Sequence, residues 1–82
     1  MNNKNLESFA ASFAALPLTS LVEKFNGEVG NQGWTSMRAA HDVALIREFE
    51  NRGVDISAVY DGQVISFAHR VAVKDNKLIV ID

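Results

Sequence analysis

Large apolar residues come first at helical spacing. Leu6, Phe9, Ala10, Phe13 and Leu16 follow the i, i+3, i+4, i+7 rhythm of an amphipathic helix, predicted over about 5–16. Pro17 stops that helix and suits the first turn of another. Leu18, Leu21, Val22 and Phe25 form the second stripe, over about 18–26. Ser20 and Glu23 have capping-box spacing, and Asn26-Gly27 reads as the stop. The glycine-bearing loop NGEVGNQG follows. Thr35 or Ser36 then caps a third helix, about 35–52, which Gly53 closes.

The period then shortens from helical to alternating. Asp61-Gly62 lies between two alternating runs and predicts a two-residue hairpin turn. Strands are expected over about 54–60, 63–73 and 78–82. In that register Ala58 faces Ile65, Ile56 faces Phe67 and Val54 faces His69. Across KDNK, Val73 faces Leu78, Val71 faces Val80 and His69 faces Asp82. The fold class expected is α+β, with three N-terminal helices packed on a three-stranded antiparallel β-meander, as one domain over 1–82.

Alternation also divides the sheet into two faces. Ile56, Ile65, Phe67, Val71, Val73, Leu78 and Val80 make the expected core face. The opposite face carries Val59, Val64, Ile79 and Ile81, which is apolar for a surface that meets water.

Composition narrows the class. The 82 residues are 48% apolar, with a mean hydropathy of zero, which fits one modest core and neither a disordered tail nor a membrane protein. No run approaches the roughly 18 apolar residues of a membrane span. Glu7, Ser8 and Ser12 interrupt any signal-peptide core. Cysteine is absent, so disulfides and thiolate metal sites are excluded, in keeping with a cytoplasmic location. Net charge is −2, and from Thr35 onward six Lys/Arg face seven Asp/Glu, with no basic block.

The densest chemistry is GWTSMRAAHD. Arg38 and Asp42 stand at i, i+4 on the side of the third helix that carries Leu45, Ile46 and Phe49. Two readings stay open. One is a structural ion pair with the arginine stem covered by Trp34. The other is an anion site formed by Trp34 and Arg38 beside a helix N-terminus. His41 and Asp42 are neighbours in sequence and point about 100° apart on a helix, which disfavours a dyad. Met37, Ala40, His41 and Ala44 form a strip of mostly small residues, suited to the first or second helix or to a homodimer contact. His69 is expected to pair with Asp82. Its separation from His41 matches no recognised metal-ligand spacing, so no metal and no cofactor are expected.

The glycines of the loop lack the pattern and the Lys-Ser/Thr of a phosphate loop, and no G-x-S-x-G elbow occurs. No enzymatic activity is expected. The leading expectation is a protein-interaction module or accessory subunit that uses Val59, Val64, Ile79 and Ile81, or the LIVID edge strand, against a protein partner or a second copy. The alternative is a winged-helix-like nucleic-acid binder using Arg38, Arg47, Arg52, Arg70, Lys74 and Lys77. The long loop between the second and third helices and the balanced charge weigh against it.

Overall fold

The computed structural model describes residues 3–31, Gly33 and 35–82. Three helices, α1 (Asn3–Ala14), α2 (Leu18–Glu28) and α3 (Ser36–Asn51), precede one antiparallel hairpin, β1 (Val71–Lys74) and β2 (Lys77–Val80). The fold is α+β, but the sheet has two strands and not the expected three.

The helix ends follow from local hydrogen bonding. α1 closes with tight turns, Ala15 N–H donating to Ser12 O and Leu16 N–H to Phe13 O, before extended Pro17 breaks the run. The carbonyls at this end are met from a distance: Arg52 Nη2 donates to Phe13 O at 2.9 Å and, just past the helix, to Leu16 O at 2.6 Å. A cation at a helix C-terminus satisfies both the orphan acceptors and the dipole. Glu48, four residues before Arg52 on α3, holds the guanidinium by its Nε at 2.7 Å.

α2 starts on Pro17, with no side-chain cap, so the Ser20–Glu23 capping box does not form. It also runs through Asn26-Gly27 to Glu28. The Asn26 carboxamide is engaged elsewhere, and the left-handed residue that turns the chain away is Gly30, at φ +80°. α3 keeps the expected cap, with Thr35 Oγ1 accepting from Arg38 N–H at 3.0 Å, and it ends before Gly53 at φ +76°.

The strip on α3 packs against α1: Ala40 and Ala44 are buried, and the His41 ring lies edge-on to Phe9 and Phe13. Phe13, Leu21, Phe25, Leu45, Phe49 and Leu78 form the centre of the core.

The segment expected as the first strand is not one. Asp55 makes a single parallel bridge to Lys77. The chain then coils, with Val59 and Tyr60 N–H both donating to Ile56 O. Ile56 and Val59 are both buried, and residues three apart share a side only on a helical turn.

The Asp61-Gly62 turn is also wider than two residues, because the bridge partners are Tyr60 and Ile65. Asp61 Oδ1 accepts from both Gln63 N–H and Val64 N–H at 2.8 Å, which takes donors a tight ladder would use. The pairings of Ala58, Ile56 and Val54 with Ile65, Phe67 and His69 therefore do not form.

The second hairpin keeps its register, Val71 opposite Val80 and Val73 opposite Leu78. Its turn residues Asp75 and Asn76 lie at φ 53° and 59°, as a primed two-residue turn requires. Beyond it Asp82 meets Arg70, not His69: its Oδ2 accepts from Arg70 Nε at 2.7 Å and its Oδ1 from Arg70 N–H at 2.9 Å.

Single residues occupy the rims of this ribbon. Asn26 serves Val71 on the β1 side. On the β2 side, Asp55 donates to Asn76 O and accepts from Leu78 N–H.

Candidate functional site

Arg38 sits in the first turn of α3, facing the end of α2. Its Nε lies 2.6 Å from Glu28 Oε2 and 3.7 Å from Asp42 Oδ2. Nη1 donates to Asn31 O at 2.9 Å and to Gly33 O, and Nη2 reaches Glu28 O at 3.4 Å. The i, i+4 pair with Asp42 is present, but Glu28 is the nearer partner. Glu28 is the last residue of α2 and meets Arg38 across 10 residues of sequence, a contact that no local spacing announces. Trp34 lies outside the described residues. Two carboxylates and three carbonyls surround one guanidinium, so the local field favours a cation over an anion.

His41 completes the cluster. Its Nδ1 lies 3.1 Å from Asp42 Oδ1 and 3.9 Å from Glu28 Oε1. Its ring is clamped edge-on by Phe9 and Phe13 at 5.3 and 5.1 Å. Sequence neighbours on a helix thus do meet here, because the short Asp42 side chain swings toward the ring that the two phenylalanines fix. An open groove of about 390 Å3 adjoins the cluster, with Phe9, Met37 and Thr35 on its walls.

The four residues expected to form one apolar interaction face are separated. Val59 is 4% exposed and belongs to the core. Val64 and Ile81 are 65% and 51% exposed, and Ile79 is half-buried. Val64 has different company: it lines an open trough of about 420 Å3 with Ala39 and Val43 of α3 and with Ile65 and Phe67. A hollow of about 150 Å3 shares Val43, Gln63 and Ile65 with the trough and extends it past Ile46, Arg47, Glu50 and Tyr60. Sequence alternation placed Val64 on a sheet face. Its actual neighbours come from α3, across the irregular 60–67 segment.

Half of the basic residues proposed for nucleic-acid contact are already engaged, while Lys74 and Lys77 face each other across the hairpin. Arg38, Arg52 and Arg70 are each held by a carboxylate. Arg47, Lys74 and Lys77 make no ion pair among the described residues.

Three exposed aspartates sit below the ordinary carboxylate range. For Asp61 the causes are the N–H groups of Val64 and Gln63. For Asp55 they are the backbone and hydroxyl of Ser57. For Asp82 the Arg70 side chain comes first, then its N–H. These groups order turns and the end of the sheet.

No described helix is long and apolar enough to cross a membrane. Compared with known proteins, the chain matches no family model, no curated protein and no solved structure.

Proposed function

We propose that the protein is a non-enzymatic interaction module or accessory subunit, which binds a protein partner or a second copy through the trough between α3 and residues 60–67. The observation that carries this reading is Val64, 65% exposed beside Val43, Ile65 and Phe67 in one continuous depression. An exposed aliphatic side chain among other apolar groups gains free energy on association, about 25 cal/mol per Å2 removed from water. The lack of cysteine suits a reducing compartment such as the cytoplasm.

The nucleic-acid reading has less support. Three of its six cations are already neutralised within the fold, and phosphate binding draws on free, clustered cations.

A photo-crosslinking side chain at position 64 tests the proposal, with the exposed Glu23 on α2 as the control position. A discrete adduct from position 64 alone, either a dimer of the chain or one heterologous band, is the expected result. Equal or absent crosslinking at both positions overturns it.

A further inference from the structure

We propose that Glu28, His41 and Asp42 form a three-donor site for a divalent transition-metal ion of the zinc class. One donor atom from each of the three residues lies within 4.8 Å of the other two. The His–Asp and His–Glu donor separations are 3.1 and 3.9 Å. A tetrahedral zinc ion with bonds near 2.1 Å spaces its ligands about 3.4 Å apart, a value between the two. One imidazole with two carboxylates is a nitrogen–oxygen set suited to zinc, cobalt or nickel in preference to calcium or magnesium.

The carboxylates divide their oxygens between two tasks. Glu28 Oε2 and Asp42 Oδ2 face Arg38, while Oε1 and Oδ1 face the imidazole. Arg38 thus orients both carboxylates from behind, as partners of metal-binding carboxylates commonly do. Glu28 Oε2 and Arg38 Nε are buried, each exposing less than 1 Å2, and their 2.6 Å contact is not an aligned hydrogen bond. Two carboxylates share one guanidinium, which leaves one oxygen of each turned to the imidazole. The ring is fixed by Phe9 and Phe13, and Glu28 and His41 also line the adjoining groove of about 390 Å3, which gives an ion an entry path and room for a water or ligand in a fourth position.

The experiment titrates the untagged chain with Zn2+ by calorimetry and follows both histidine rings by NMR. The proposal predicts saturation at one equivalent, with the His41 resonances perturbed and those of exposed His69 unmoved. Because His41 packs in the helix interface, Glu28→Gln is the principal variant and should weaken Zn2+ binding at least about tenfold. His69→Gln should leave the affinity unchanged. Absence of one-equivalent saturation, a response at His69 in place of His41, or undiminished affinity in Glu28→Gln overturns the site.

Discussion

The carboxamide of Asn26 pairs with both backbone polar groups of Val71, accepting from its N–H at 2.8 Å and donating to its carbonyl at 3.0 Å. One side chain thereby does the work of a neighbouring strand. It also ties the last turn of α2 to the start of β1, across 45 residues of sequence.

Replacing Asn26 by Ala leaves the N–H and C=O of a buried strand residue unpaired. A loss of about 2–6 kcal/mol is expected, from a penalty near 1–3 kcal/mol for each of the two unsatisfied groups. Asn26→Asp retains the acceptor alone and should fall between the two. Urea denaturation measures both; a variant as stable as the parent would show that water replaces the amide.

Arg52 joins α3 to the end of α1 through the carbonyls of Phe13 and Leu16. Arg52→Ala should cost roughly 1.5–3 kcal/mol, the range for hydrogen bonds to a charged group. The damage should be local: amide exchange in α1 should quicken more than exchange in β1 and β2. Uniform acceleration across the chain would contradict a clamp specific to α1.

Val59 and Ile81 appeared equivalent by strand alternation and differ in the fold. Val59→Lys places an unpaired ammonium in the core and should abolish cooperative unfolding. Ile81→Lys, at a half-exposed site, should shift stability by no more than about 0.5 kcal/mol. Circular dichroism melts of the two variants settle the comparison, and tolerance of lysine at 59 would refute its burial.

Acid should loosen the turns in a definite direction. Asp55, Asp61 and Asp82 have folded-state values below the ordinary carboxylate range. Their contribution is therefore complete above about pH 5 and is lost as pH falls through about 4 toward the lower folded values. Asp61→Asn should flatten the decline of stability between roughly pH 5 and 3. Denaturation midpoints across that interval test this, and a slope identical to the parent's would remove Asp61 from the account.

The helices and the second hairpin were legible because each rests on local chemistry: apolar spacing, a threonine cap, and Asp-Asn in a primed turn. The first hairpin misled because Asp61-Gly62 has the composition of a tight turn, while the Asp61 carboxylate draws two further N–H groups inward and widens it. The signal that pointed the other way was the separation of Ile56 and Val59, which is helical, not alternating. The Arg38–Asp42 pair could be read from i, i+4 spacing. Glu28 could not, since it belongs to another helix and no period links it to Arg38. Nor could the His41–Asp42 contact, which depends on two phenylalanines of another helix holding the ring.

The occupied rims of the ribbon bear on how the chain behaves in a crowd. Asn26 takes the outward groups of Val71, and Asp55 takes those offered by Asn76 and Leu78. Among the described residues, Val73, the Leu78 carbonyl and Val80 remain open, so a strand arriving from another molecule meets a row interrupted at Val71 on one flank and at the Leu78 N–H on the other. Fibril growth needs an uninterrupted template. Two well-placed residues thus shorten the template that this valine-rich hairpin offers to fibril growth.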